Sequence, residues 1–122
     1  MPPVTDGVTP LDTLLGRTGN NRGLVVELID IFESECSDMV AELRRSLAAN
    51  DAKGIQGAAH RLRGSLRLFG AGRAVGAAEE LEAIGRAGAL DHAGAPMQAL
   101  EREARGALAV LQSYRETLTA GA

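Results

Sequence analysis

The chain has 122 residues, of which 13 are basic, 16 are acidic and one is a cysteine, Cys36. This length suits a single domain with its own core, and a net charge of −3 argues against a nucleic-acid partner. No apolar run approaches the roughly 18 residues that span a bilayer, which argues against a membrane protein. An unpaired cysteine fits a reducing compartment, so we expect a cytoplasmic protein. Aromatic residues make up only 2%, and the abundance of Ala, Leu, Glu and Arg favours helices.

The N-terminal part of the chain predicts a tail followed by a short helix. Residues 1–8 contain two prolines and a glycine, and we expect them to form a flexible tail before one domain over residues 9–120. Thr9 is expected to cap the first helix, with Pro10 at its first helical position. Glycines at 16 and 19 end this helix, which we interpret as an accessory element at one end of the domain.

Longer amphipathic segments follow, each with apolar residues three or four positions apart. They are predicted to run from a cap at Asn20–Asn21 to about Ala49, from a cap at Asp51 to Phe69–Gly70, from about Arg73 to Gly88, and from a cap at Asp91 to the C-terminus. Pro96 lies in the first turn of the last helix or just inside it, so a start of the regular helix nearer Ala95 is the alternative. Their connections are short, which makes neighbouring helices antiparallel. The sequence therefore predicts an all-α fold, an antiparallel up-down four-helix bundle with a short accessory N-terminal helix.

The predicted core follows from the same spacing. The expected buried positions are Leu24, Leu28, Phe32, Cys36, Met39, Leu43 and Leu47 in the second helix; Ile55, Ala59, Leu62, Leu66 and Phe69 in the third; Val75, Ala78, Leu81 and Ile84 or Gly85 in the fourth; and Met97, Leu100, Ala104, Ala107, Leu111, Tyr114 and Leu118 in the last. Gly76 and Gly85 weaken the fourth helix by about 1 kcal/mol each relative to alanine. We expect them to be tolerated if they allow two helices to approach closely.

His60 has an unusual position on the third helix. On a helical wheel it lies about 150° from the centre of the apolar seam, so it faces water from an anchored helix. Arg63 lies beside it and can hold anionic oxygens, while Gly64, one turn later, leaves the imidazole uncrowded. The same polar face also carries Lys53, Gln56 and Arg67. A surface histidine without a role is the alternative, but these neighbours favour an imidazole that accepts and releases a phosphoryl group.

The segment His60-Arg61-Leu62-Arg63-Gly64-Ser65, with Phe69-Gly70-Ala71, resembles the H-x-L-[K/R]-G-S motif and later G-A of the histidine-containing phosphotransfer (HPt) domain family. Further matching positions are Leu11-Asp12, Phe32, Ala49-Asn50-Asp51 and Leu81-Glu82. The resemblance implies a helical phosphocarrier. In it His60 is phosphorylated, Arg63 is the conserved basic residue and Gly64 gives access to the ring. Glu82 occupies the position of a polar residue that hydrogen-bonds Nδ1.

The same resemblance implies the partners. These are response-regulator receiver domains, a hybrid sensor histidine kinase, or both, with the chain acting as a carrier and not as an enzyme. We expect a monomer, because no exposed apolar stripe in the sequence demands a dimer, and a dimer is the alternative. We expect no cofactor and no metal in this chain, since Mg²⁺ would be bound by the partner receiver. The expected docking surface comprises Lys53, Gln56, Arg67 and Leu68. The side chain of Leu68 is either half buried or part of an apolar rim that the partner contacts.

Two other functions were weighed against this one. A helical module that docks on a receiver without carrying phosphate stays open, although suitable residues at 63, 64 and 82 favour an active site. A ferritin-like metal bundle needs Glu-x-x-His pairs, but Gly57 and Ala89 stand where those glutamates would be. We further expect Cys36 to be a buried core residue and the Ser65 hydroxyl to bond a carbonyl of its own helix.

Overall fold

The computed structural model describes residues 8–120, and every regular element in that range is helical. The elements are α1 Leu11–Arg17, α2 Arg22–Ala48, α3 Ala52–Leu68, α4 Gly72–Ala87, a 3₁₀ turn at Leu90–His92, and α5 Gly94–Ala120. Each long helix packs against two others, in the cyclic order α2, α3, α4, α5. The predicted four-helix bundle with an accessory first helix is confirmed. None of the described helices is long and apolar enough to cross a bilayer.

Side-chain caps set the starts of α2 and α3 as the sequence predicted. The Asn21 side chain accepts a hydrogen bond from the Leu24 amide at 3.0 Å, and Asp51 accepts one from the Gly54 amide at 3.0 Å. Such caps satisfy amide groups that have no partner within the helix. The start of α3, and with it the position of His60 along the helix, is therefore fixed by a local signal.

The N-terminal boundary differs from the prediction. Pro10, not Thr9, is the cap residue of α1, and no side chain caps this helix. The backbone of Thr9 instead pairs with the end of α3, because its amide donates to the Phe69 carbonyl at 2.7 Å. Val8, which the predicted tail included, is buried in the core. The remainder of that tail, residues 1–7, lies outside the described residues.

The apolar seam of α3 is confirmed, whereas that of α2 is partly wrong. All five seam residues predicted for α3 are buried: Ile55, Ala59, Leu62, Leu66 and Phe69. In the first half of α2, Val25 and Ile29 face the core, while Leu24 is 37% exposed and Leu28 is half-buried. Both stripes have helical spacing, so the pattern alone does not decide between them. The stripe at 24, 28 and 31 is left facing outward.

The fifth helix begins later than its predicted cap. Asp91 lies inside the 3₁₀ turn, and α5 starts at Gly94, where the Ala93 carbonyl accepts from the Met97 amide at 3.0 Å. Pro96 falls in the first turn, where the missing amide has no intrahelical partner to lose. Of the predicted core positions in this helix, Tyr114 is only partly buried; its hydroxyl donates to the Thr9 carbonyl at 3.1 Å.

Gly76 and Gly85 of α4 have different surroundings. A Cβ atom at Gly85 would lie 2.7 Å from the Gln56 nitrogen and 2.8 Å from the Ala52 carbonyl oxygen, so α4 and α3 approach closely at this point. A Cβ at Gly76 would meet nothing within 4 Å. Close approach therefore explains Gly85 and not Gly76. Val75 and Ile84 are only partly buried, and alanines at 74 and 77 take core positions beside Ala78.

Replacing Leu62 with alanine should lower the free energy of unfolding by about 2–5 kcal/mol, because its side chain is fully buried and the change leaves a cavity. Urea denaturation followed by circular dichroism measures the loss. Arg61→Ala is the matched control, since Arg61 is the exposed neighbour on the same helix. A loss in the Leu62 variant no larger than in the control would contradict the placement of the core.

Candidate functional site

His60 lies in the middle of α3 with its side chain 61% exposed. Its neighbours in the seam, Ala59 and Leu62, are fully buried, so the helix is anchored while the imidazole reaches solvent. The sequence prediction for the orientation of His60 is thereby confirmed. A rigid backbone below an accessible ring allows a partner to reach the ring without a rearrangement of the bundle.

Glu82 of α4 lies across the helix interface from this histidine. Its side chain is 8% exposed, and its Oε1 atom is 3.1 Å from Nδ1 of His60. An ionised carboxylate can only accept a hydrogen bond, so this contact requires a proton on Nδ1. The neutral ring then carries its lone pair on Nε2, which is the form that attacks an electrophile.

Two arginines surround the carboxylate of Glu82. Nη1 of Arg63 is 3.3 Å from Oε2, and Nη2 of Arg86 is 3.5 Å from Oε1. Oε2 is buried and accepts no hydrogen bond, so the nearby guanidinium charge is what compensates its burial. Arg86 was not among the predicted site residues. Its spacing from Glu82, one turn along the same helix, is the sequence signal that points to it.

Arg63 also contacts the imidazole itself. Its Nη2 atom is 3.1 Å from Nδ1 of His60, the same distance that separates Nδ1 from Glu82. A guanidinium only donates, whereas the carboxylate only accepts, so Nδ1 can serve one of them at a time. When Nδ1 donates to Glu82, Nε2 is free to react. When Nδ1 accepts from Arg63, the proton of the neutral ring is on Nε2 and the nucleophile is blocked.

Gly64 lies one turn after His60, and a Cβ atom there would meet nothing within 4 Å. The fold therefore does not require a glycine at this position. The position is exposed to solvent, and the role of Gly64 in giving access to the imidazole stays a prediction.

The Hpt domain family model matches residues 27–114, a range that contains every residue of this site. The chain belongs to the Hpt domain family. It is accordingly a histidine phosphotransfer protein of the kind that acts in phosphorelays.

A solved structure supports the fold assignment independently of the family model. The crystal structure of histidine-containing phosphotransfer protein B (HptB) from Pseudomonas aeruginosa PAO1 is similar with a TM-score of 0.82 and 24% sequence identity. The similarity covers 96% of this chain and 98% of that chain. At this identity the likeness shows a shared fold. A comparison with curated proteins gives no match.

The residues predicted to dock a partner lie on two sides of His60 in this Hpt domain. Lys53 and Gln56 line a depression of about 530 Å³ together with His60 and Glu82. On the other side, Arg67 is exposed and pairs with Glu79 at 3.5 Å. Leu68 is 51% exposed, and contact of this apolar side chain with a partner stays a prediction.

Sequence reasoning predicted Leu68 in the docking surface but missed the two α2 residues of an apolar patch next to the site. This patch consists of Leu28 and Ile31 from α2 and Leu68 from α3, which line one shallow depression of about 290 Å³ together with Gly64. Ile31 is 48% exposed and Leu68 is 51% exposed, so two large apolar side chains in one patch face solvent. The sequence signal for this patch was the apolar stripe at 24, 28 and 31 of α2. The prediction had placed the first two of these positions in the buried seam.

Ser65 and Cys36 are two further residues whose surroundings were predicted from the sequence. The expectation that the Ser65 hydroxyl bonds a carbonyl of its own helix is wrong, because this hydroxyl donates to the carboxylate of Glu35 on α2. Cys36 is buried, and burial raises the pKa of its thiol, so it is a core residue as predicted. Within residues 8–120, no group of three or more His, Cys, Asp or Glu side chains could hold a metal ion.

Replacing Glu82 with leucine should shift the neutral His60 ring from the Nδ1–H toward the Nε2–H tautomer, because only the donor Arg63 then contacts Nδ1. We expect the ratio to change at least about tenfold, since a hydrogen bond to a charged group contributes about 1.5–3 kcal/mol. Long-range ¹H–¹⁵N NMR measures the ratio. Glu82→Gln is the control because its amide oxygen still accepts. An unchanged ratio in the leucine variant would count against the Glu82 contact.

Proposed function

We propose that His60 accepts a phosphoryl group from the aspartyl phosphate of a receiver domain, or from a kinase, and passes it to another receiver. The observation that carries this proposal is the pairing of a solvent-facing imidazole with a buried carboxylate, Glu82, at 3.1 Å from Nδ1. Burial gives the carboxylate a fixed position, and exposure gives Nε2 access to a partner. Membership of the Hpt domain family supports the same reaction class.

In this reaction the Nε2 lone pair attacks phosphorus. An N–P bond forms as the P–O bond of the acyl phosphate breaks, and its electron pair leaves with the aspartate carboxylate. The proton on Nδ1 stays in place, so the ring becomes a phosphorylated imidazolium. Its positive charge lies against the carboxylate of Glu82, which stabilises it electrostatically. Transfer to a second receiver reverses these steps.

Arg63 is proposed to assist by binding the incoming phosphoryl oxygens. Its guanidinium can donate two parallel hydrogen bonds to an anionic oxygen pair, and it extends from the turn that follows His60. Moving toward the phosphoryl group takes it away from Nδ1, which leaves that atom to Glu82. Arg86 remains next to the carboxylate and keeps its charge paired during the step.

The partner is proposed to supply what this chain does not. A receiver domain would contribute the aspartate and the carboxylates that bind Mg²⁺, while this chain contributes the histidine and its orienting groups. We therefore propose a monomeric carrier without its own cofactor, working with response-regulator receivers, a hybrid sensor kinase, or both.

The docking surface is proposed to include the apolar patch as well as the predicted polar residues. Leu28, Ile31 and Leu68 lie next to Gly64 and form an apolar area that a receiver can cover. Arg67 borders this area, and Lys53 and Gln56 border the opposite side of the imidazole. An apolar centre with a polar edge is the usual composition of a protein interface.

His60→Gln should abolish phosphorylation and leave the fold intact, because the side chain lies outside the core. The test incubates a phosphorylated receiver with the wild type and with the variant. An acid-labile, alkali-stable phosphate on the wild type alone would support the carrier role. Receivers that bind without transferring phosphate would favour the docking-module alternative. A substantial loss of helicity in the variant would contradict the exposed placement of His60.

Ile31→Ser and Leu68→Ser should each raise the KM for the receiver by about five- to tenfold and leave kcat nearly unchanged. Each side chain is half exposed, so covering it contributes about 1 kcal/mol to binding. Transfer rates measured against receiver concentration separate the two constants. Ala109→Ser on the exposed side of α5 is the control. A fall in kcat alone would place the docking surface elsewhere.

A further inference from the structure

Helices α3 and α4 approach each other closely at Gly85. A Cβ atom there would lie 2.7 Å from the Gln56 nitrogen, 2.8 Å from the Ala52 oxygen and 3.1 Å from the Gln56 Cα. All three obstructing atoms belong to the backbone, so a rotamer change does not relieve the contact. Gly76, on the same helix, has open space around it. The requirement for glycine is therefore specific to position 85.

This contact lies one turn from the His60–Glu82 pair. Gln56 precedes His60 by one turn on α3, and Glu82 precedes Gly85 by three residues, or about 4.5 Å, on the antiparallel α4. The spacing of the two helices at Gly85 therefore governs how far Glu82 must reach to meet the imidazole.

We propose that Gly85 is a positioning residue for phosphotransfer, because its missing side chain lets α4 lie close enough to α3 for Glu82 to hold Nδ1 of His60. The role in transfer rests on the function proposed above, whereas the positioning of Nδ1 does not. The group that orients the histidine is thus itself positioned by a residue that packs against the backbone of Ala52 and Gln56.

The distances show how little displacement would break the pair. An ordinary Cβ contact begins at 3.4 Å, so an alanine at 85 requires α4 and α3 to separate locally by about 0.7 Å from the present 2.7 Å. The His60–Glu82 contact is 3.1 Å, and a hydrogen bond weakens beyond about 3.5 Å. Arg63 lies on the same helix as His60 and moves with it. Arg63, which only donates hydrogen bonds, is then the remaining partner of Nδ1, and this favours the Nε2–H tautomer.

The experiment compares Gly85→Ala with Gly76→Ala, which adds the same methyl group to the same helix where there is space. We expect Gly85→Ala to shift the tautomer of neutral His60 toward Nε2–H, in the direction expected of Glu82→Leu, and to slow phosphotransfer roughly 10- to 100-fold. Gly76→Ala should change neither. A merely structural role of Gly85 would lower stability without moving the tautomer signals of the folded protein.

The double variant Gly76→Ala/Gly85→Ala keeps the test usable if the single variant is poorly folded, because alanine at 76 raises the helix propensity of α4. A wild-type tautomer ratio in either folded variant would overturn the proposal. Unfolding of both would overturn it as well, since Gly85 would then be needed for the bundle and not for the site. The tautomer readout needs no receiver, so a failure of phosphotransfer in the wild type would reject the proposed function and leave this test intact.

Discussion

The buried carboxylate of Glu82 is the feature on which the site depends. A charge with 8% exposure is unfavourable unless other groups pair with it, and here His60, Arg63 and Arg86 all lie within 3.5 Å of its oxygens. That arrangement needs two helices in close contact and in a fixed register. Bundle packing and histidine chemistry are therefore linked through one side chain.

The fold was predictable where the apolar pattern of a helix allowed only one face to be buried. Asp51 caps α3 locally, and the polar residues on one side of that helix leave a single apolar seam, so the direction of His60 followed from spacing alone. The first half of α2 has apolar residues on two adjacent stripes, and only packing against α3 selects the one with Val25 and Ile29. The same choice exposes Ile31. The 3₁₀ turn before α5 likewise had no distinct signal.

The residues of the site likewise divide into those that sequence spacing predicted and those that it did not. His60, Arg63 and Gly64 lie within two turns of one helix, so sequence spacing brings them together. Glu82 is 22 residues away, and only the family resemblance pointed to it. The contact between Arg63 and Nδ1 depends on side-chain distances, which no sequence pattern contains. The partner of Ser65 was missed because it depends on the rotation of α2.

Gly64 and Gly85 show that the residue type alone does not indicate what a glycine does in a helix. Gly64 faces outward, and a Cβ added there would meet nothing within 4 Å. Gly85 faces inward, and a Cβ there would collide with the backbone of α3. Both weaken a helix by a similar amount relative to alanine. The proposed role of Gly85 is to let Glu82 reach Nδ1 across the α3–α4 contact, whereas access to Nε2 through Gly64 stays a prediction.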